Sequence, residues 1–310
     1  MEVIALTESI QSIFDQNIKL LSELDKAVYY FRGQQYEKAL ILVAESIDKV
    51  RFVIEAIIKE REHFKLASTD PISEMLSGIL EAKKNNDFIL LADILELQLI
   101  SFLTGIQELV ISKDEVAFNK GNYRENIDLL LQRGLYIPQE LQKPVDTAKL
   151  LKSGYRVEFT SSGLMTLAAE NGGLKFYFHT NNKVEQEARL LAGSWQKENT
   201  SRYILYGFGM GYHVRELVKQ DSQAHIEVYE ADLNVLMLAC AFTDVKELLL
   251  NERVTVIYDP GFVWLKDRIA NIKYKDEFVL HYPSYKNIRS KKGKALFVKA
   301  FPWLKSLDEC

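Results

Sequence analysis

The sequence predicts an α+β protein of two domains: an all-α helical bundle, then a Rossmann-like α/β domain that a small antiparallel β meander leads into. Three observations carry this. Apolar residues recur at helical spacing through residues 1–118. From Tyr155 the period of the pattern falls to two. Between Arg202 and Asp232 the chain reads as strand, glycine turn, helix and a second strand ending on an acid, the opening unit of a nucleotide-binding α/β sheet. The expected domains are residues 1–118 and 119–310.

Bulk properties narrow the field. A chain of 310 residues has room for two cores. A net charge of −4 gives no global reason to expect nucleic acid as partner. Cys240 and Cys310 are the only cysteines, which excludes a disulfide framework and disfavours a cysteine zinc site. The N-terminus lacks a basic region followed by an apolar core, so no signal peptide is expected. The most apolar stretch, residues 88–103, is interrupted by Asp93 and Glu96, so no membrane span is expected either. Together these point to the cytoplasm.

In the first half, Thr7 is the expected cap of a helix whose apolar stripe runs through Ile10, Phe14, Leu21, Leu24, Val28 and Phe31. After Gly33 a second stripe follows through Tyr36, Leu40, Val43, Ile47, Val50, Ile54 and Ile57, taking helix two to about His63. The segment from Gly33 to Leu40 resembles half a tetratricopeptide unit, but one copy without a second reads as a helical hairpin. Thr69, Asp70 and Pro71 start a third helix ending near Asn85. A fourth runs from Asp87 to about Ser112, apolar around most of its circumference, with a polar stripe through Asp93, Glu96, Thr104 and Gln107. Asp93 and Glu96 invite a metal reading, but a di-metal bundle needs histidine partners and this half offers only His63. A capped polar stripe is the expectation, with no metal site. Such a bundle suits partner binding or self-association into a homo-oligomer.

Asn122 and Glu125 form a capping box for a short helix over residues 123–132, and Gly134, Pro138 and Pro144 then mark irregular chain. Three short strands at 155–160, 164–168 and 175–178 are separated by turns at 161–163 and 170–173. A helix over 184–196 leads to the strand at 203–206. After the glycine turn, a helix from Tyr212, strands at 226–229, 254–258 and 277–281, and a helix over 233–250 make a doubly wound parallel sheet.

Ligands of such sheets sit at the carboxyl ends of the strands. That edge gathers Gly207, Gly209, Gly211, Glu230, Asp259 and His281. The glycines let backbone amides approach a ligand, and the positive end of the next helix favours anions. Glu230 suits ribose hydroxyls, whereas Asp259 before Pro260-Gly261 is a ligand acid or a turn former. Tyr212 and His213 open the helix, where His213 either reaches a phosphate or packs against the loop. His281, with Tyr282 and Ser284 after the fourth strand, is a possible additional contact or base. The layout resembles that of methyltransferases using S-adenosylmethionine, which usually carry an acid two residues before the first glycine. Here that position is Leu205.

A closer similarity rests on Leu205-Tyr-Gly-Phe-Gly-Met-Gly-Tyr-His213, Glu216-Leu217 and Val228-Tyr-Glu230, with a β meander, Phe178-His179-Thr180 and Glu187-Ala188 before them. Over residues 117–285 this resembles the N-terminal region of the motility accessory factor (Maf) family of flagellin glycosyltransferases. The proline usual before that helix is absent, with Asn182-Lys183-Val184 in its place. The resemblance implies a role in bacterial motility through O-glycosylation of flagellin with a nonulosonic sugar from its CMP donor. It also implies flagellin or flagellar glycosylation proteins as partners. In that family a further domain is thought to hold the transferase site, and this chain, ending at Cys310, is expected to lack it.

The last segment carries Lys286, Arg289, Lys291, Lys292, Lys294, Lys299 and Lys305, with Phe297, Phe301 and Trp303 interleaved. It reads as a solvated basic tail with one docking face, or as a grip on anionic phosphates. Three functions follow: a Maf-like component that binds a CMP-sugar or assists the glycosyltransferase, a methyltransferase with S-adenosylmethionine, and a non-catalytic structural adaptor.

Overall fold

The computed structural model describes residues 2–66, 68–113, 120–142, 154–160, 162–171, 174–284, 288 and 290–302. The expected domain boundary near residue 118 lies outside them, as do Pro144, Ser161, Gly172, Gly173, Lys286, Arg289, Trp303 and Lys305. The chain forms two compact units. One is Met1–Ala117 with Phe159–Leu164 and Asn181–Gln186; the other is Phe118–Glu158, Met165–Thr180 and Glu187–Cys310.

The first unit is helical. Helix α1 (Glu2–Arg32) begins before Thr7, which is therefore inside the helix rather than its cap. Its expected stripe is the buried one: Ile10, Phe14, Leu21, Leu24, Val28 and Phe31 are all at most 3% exposed. Helix α2 (Tyr36–Lys59) makes a hairpin with α1 but buries a shifted face, Ala39, Val43, Ser46, Val53, Ile54 and Ile57, leaving Ile47 exposed. Helix α3 (Asp70–Lys84) carries Pro71 in its first turn.

The fourth predicted helix is three consecutive segments: α4 (Phe88–Ile94), a π-helical stretch (Leu95–Ile100) and α5 (Ser101–Lys113). Asp87 caps its start by accepting the Leu90 amide at 2.9 Å. The run Phe88–Val110 is long and apolar enough to cross a membrane by composition. Here Leu91, Leu95, Leu99, Leu103 and Ile106 are buried in the protein, whereas Ile89, Leu90 and Leu97 are exposed. The polar stripe has protein partners. Asn17 donates to the Leu103 carbonyl at 2.9 Å and Gln107 donates to that of Phe14 at 3.1 Å, which fixes α5 against α1. Arg32 reaches Asp93 at 2.6 Å and Glu96 at 2.8 Å, and Lys183 also pairs with Glu96.

The second unit mixes helices and strands. Helix α6 (Lys120–Arg133) donates from Asn126 to the Cys240 carbonyl at 2.9 Å. A 3-10 turn (Gln139–Gln142) precedes a three-stranded sheet of order β1 (Tyr155–Phe159), β2 (Met165–Asn171), β3 (Leu174–Tyr177), in which β2 and β3 pair antiparallel. Helix α7 (Val184–Trp195) follows.

The larger sheet has four strands: β4 (Arg202–Tyr206), β5 (His225–Glu230), β6 (Val254–Tyr258) and β7 (Asp276–Leu280). Their order is β6-β5-β4-β7 and every pairing is parallel. Parallel neighbours need crossovers. Helix α8 (Tyr212–Gln220) joins β4 to β5, and α11 (Val263–Ala270) joins β6 to β7. The helix expected over 233–250 is two, α9 (Leu233–Phe242) and α10 (Lys246–Leu250). It breaks at Thr243, which turns extended and donates its hydroxyl to the Ala239 carbonyl at 2.7 Å.

Strand β4 is central, so Tyr203, Ile204, Leu205 and Tyr206 are all buried, as expected for a parallel strand covered on both faces. One face packs Ile204, Tyr206, Tyr229, Ile257 and Leu280 against Phe262, Leu265 and Phe297. Phe297 belongs to α12 (Lys291–Ala300), which Ser290 caps by accepting the Gly293 amide at 3.1 Å. The lysine-rich tail is thus, where described, an amphipathic helix docked through its aromatic residues.

Register places the site. Tyr206 lies beside Tyr229 in β5 and Leu280 in β7, and Glu230 lies beside Tyr258 in β6. The next residue of each strand, Gly207, Glu230, His281 and Asp259, therefore emerges along one carboxyl edge.

Candidate functional site

The glycine turn is closed on itself and on its neighbours. Gly207 N–H donates to the Tyr229 carbonyl at 2.8 Å and Gly211 N–H to that of Phe208 at 2.9 Å. Phe208 N–H donates to Glu230 at 3.0 Å, and Met210 N–H to His179 Nε2 at 3.2 Å. The Gly207 bond continues the β4–β5 ladder, and the Phe208 and Met210 amides of the turn already have side-chain acceptors. Every residue from Tyr203 to Val214 is buried.

Two of the glycines are required by close approach. Gly207 has φ +99°, and a Cβ there would lie 2.2 Å from Ser284 Oγ. Gly209 has φ +51°, and its Cβ would lie 2.8 Å from His179 Nε2 and 3.1 Å from His281 Cε1. The spacing that suggested room for a ligand makes room here for a serine and two imidazoles. Gly211, with φ +80°, caps α8 from the left-handed region.

The two acids are buried and bonded to backbone. Glu230 accepts Phe208 N–H through Oε2, and Ala231 N–H at 2.8 Å and Asp232 N–H at 2.9 Å through Oε1. Burial pushes its carboxyl up to about 7, partly offset by the amides of Asp232 and Phe208. Asp259 accepts Val263 N–H at 2.9 Å and Leu265 N–H at 2.8 Å, and so holds the first turn of α11. Tyr212 OH donates to the Met165 carbonyl at 2.8 Å. Tyr282 packs against the core that contains Phe297.

His179, His213 and His281 form a cluster that neither spacing nor composition revealed. His179 counted in the sequence only as part of the lead-in to α7, and nothing in spacing links it to the other two. All three are at most 1% exposed. The rings of His213 and His281 stack at 3.9 Å with an interplanar angle of 1°, and that of His179 lies 5.3 Å and 4.8 Å from them. His213 Nε2 lies 2.9 Å from the Gly207 carbonyl, which can only accept, so Nε2 carries the proton and Nδ1 is bare. His213 is therefore turned back onto the loop. His281 Nδ1 lies 3.1 Å from Ser284 Oγ. Burial drives all three imidazoles to the neutral form: His213 is pushed down to about 4, and His179 and His281 fall well below the ordinary value, lowered further by their histidine neighbours.

The structure thus brings Gly207, Gly209, His213, Glu230, His281 and Ser284 together, adds His179, and uses Asp259 as a helix cap. No curated protein and no solved structure matches the chain. Residues 8–109 match a domain of unknown function (DUF8042), a stretch lying within the helical unit. Residues 140–255 match the glycosyltransferase Maf N-terminal domain, narrower than the 117–285 expected, with the glycine turn and Glu230 inside the match and Asp259 and His281 beyond it.

Proposed function

We propose that this chain acts in O-glycosylation of flagellin as a Maf-type component that assists the transferase rather than moving the sugar itself. The observation that carries the role is the match of residues 140–255 to the glycosyltransferase Maf N-terminal domain. The assisting form is supported by the closed turn: a phosphate would have to displace Glu230 from Phe208 N–H and His179 from Met210 N–H. In this reading the Rossmann-like sheet is a scaffold, residues 1–118 form the domain that meets a partner or a second copy, and the protein works in the cytoplasm, where CMP-activated sugars are used. Ile41 and Phe52, exposed on α2, favour such a contact.

In-frame deletion in a flagellated host, followed by intact-mass measurement of flagellin, tests the role. Flagellin should lose the mass of its nonulosonate, and an unchanged mass would overturn the proposal. Calorimetry with CMP, CMP-sialic acid and S-adenosylmethionine tests the form. No heat is expected. Heat with the CMP-sugar that Glu230→Ala abolishes would favour the nucleotide-binding alternative, and heat with S-adenosylmethionine the methyltransferase one, against which the buried Leu205 counts.

A further inference from the structure

Beyond the glycosylation role, the histidine cluster has the composition of a metal site. One ligand atom from each of His179, His213 and His281 can be chosen so that all lie within 4.8 Å of one another. We propose that these residues bind a divalent transition-metal ion of the zinc class, which ties the glycine turn to the end of β7 and the exit of the β meander.

Two of the rings carry a buried nitrogen that ligation could use. His213 donates Nε2–H to the Gly207 carbonyl and leaves Nδ1 buried with no protein partner. That is the usual arrangement of a metal-bound histidine, whose second nitrogen is held by a backbone carbonyl. His281 Nε2 is likewise buried without a hydrogen bond, while Nδ1 faces Ser284 Oγ at 3.1 Å. The backbone of Phe178 also acts on this ring as a hydrogen-bonding group and favours its charged form, a contact that an ion would compete with. A buried nitrogen without a partner is costly, which favours a ligand in this cluster. Imidazole donors without thiolate or carboxylate suit zinc, cobalt, nickel or copper rather than magnesium or calcium. The edge itself favours a ligand, because the winding of the sheet reverses between β4 and β7, where Gly207 and His281 emerge.

Loading changes the cluster. Around a tetrahedral ion with bonds of about 2.0 Å, ligand atoms stand about 3.3 Å apart, closer than the 4.8 Å that bounds the metal-free spacing. Rings stacked face to face cannot both aim a lone pair at one point, so either His213 or His281 must rotate. His281 is the freer, held by the 3.1 Å serine contact against the 2.9 Å carbonyl contact of His213. His179 must also release Met210 N–H, which it accepts at 3.2 Å.

The test is titration of the tag-free full chain with cobalt(II). The expected result is one ion per chain and the visible bands of a four-coordinate site, displaced by zinc. Removing a ligand with His281→Gln or His213→Gln should weaken binding about 100-fold or more, and Ser284→Ala about 10-fold through ring orientation. His225→Gln, remote from the cluster, should leave it unchanged. X-ray absorption on the cobalt-loaded unmodified protein needs no variant to fold and should show scattering from at least two imidazoles. No stoichiometric cobalt uptake, uptake unchanged in both ligand variants, or a cobalt edge without imidazole scattering would each overturn the proposal and leave a buried aromatic stack.

Discussion

Glu230 Oε2 accepts the Phe208 amide at 3.0 Å, so the acid that ends β5 is bonded to the turn with which it would share a nucleotide. Its other oxygen holds Ala231 and Asp232. Glu230→Ala removes the acceptor of three amides, that of Phe208 buried and those of Ala231 and Asp232 partly so. Leaving buried donors unpaired costs about 1–3 kcal/mol each, relieved in part by removal of a buried carboxyl. The expected loss is about 2–4 kcal/mol at neutral pH, read from urea unfolding. A residue reserved for a ribose would instead show little change in stability.

The same carboxyl makes stability depend on pH. Its folded-state value of about 7 lies above the ordinary 4.5, so the folded protein holds the proton more tightly than the unfolded chain. Stability from this group is complete below pH 4.5 and is lost as pH rises through 7. The loss is on the order of 3 kcal/mol. The buried histidines act in the opposite sense below pH 6.5, so the measurement is the difference between wild type and Glu230→Gln in metal-free protein. That difference should shift against wild type between pH 5 and 8. A constant difference would mean that Glu230 stays ionised throughout.

Gly207 and Ser284 should be energetically coupled. A methyl at Gly207 would stand 2.2 Å from Ser284 Oγ and 3.0 Å from His281 Cβ, at a φ that side chains rarely adopt. Gly207→Ala is expected to cost about 3 kcal/mol, from strain together with overpacking. Adding Ser284→Gly removes the clash with serine but not the strain. The double variant should recover about 1 kcal/mol relative to the sum of the single ones, a coupling that a double-mutant cycle measures. Strict additivity would place the serine elsewhere.

How far the sequence spoke for itself can be judged from these residues. Strand β6 falls at the predicted 254–258, and β4 and β5 are longer than predicted by one and two residues, because continuous apolar runs between breakers are a local signal. The glycine turn was equally legible as spacing. Its occupancy was not, because Glu230, His179 and Ser284 reach it only after the sheet has formed. The π-helical stretch Leu95–Ile100 leaves no mark in an apolar pattern that covers most of the helix. Helix α12 was hidden by its lysines, although Phe297 beneath them is fully buried. The extra break at Thr243 depended on a hydroxyl choosing the Ala239 carbonyl, a choice between local hydrogen bonds that propensity does not decide.

Asp259 separates a structural acid from a ligand acid in a way that one residue can test. Its two oxygens accept Val263 N–H and Leu265 N–H, amides in the first turn of α11 that have no acceptor within the helix. Phe262, just before that turn, sits at φ +54° with its side chain in the core, so the carboxylate holds a strained entry in place. Asp259→Ala should cost about 1–2 kcal/mol, the scale of losing a helix cap. Asp259→Asn, which keeps one accepting oxygen, should cost about half as much. Hydrogen exchange locates the effect: protection should fall at Val263 and Leu265 while the strand amides of β4 and β5 keep theirs. If exchange at those two amides is unchanged in Asp259→Ala, the carboxylate does not hold the turn, and its place at the carboxyl edge would again favour a bound ligand.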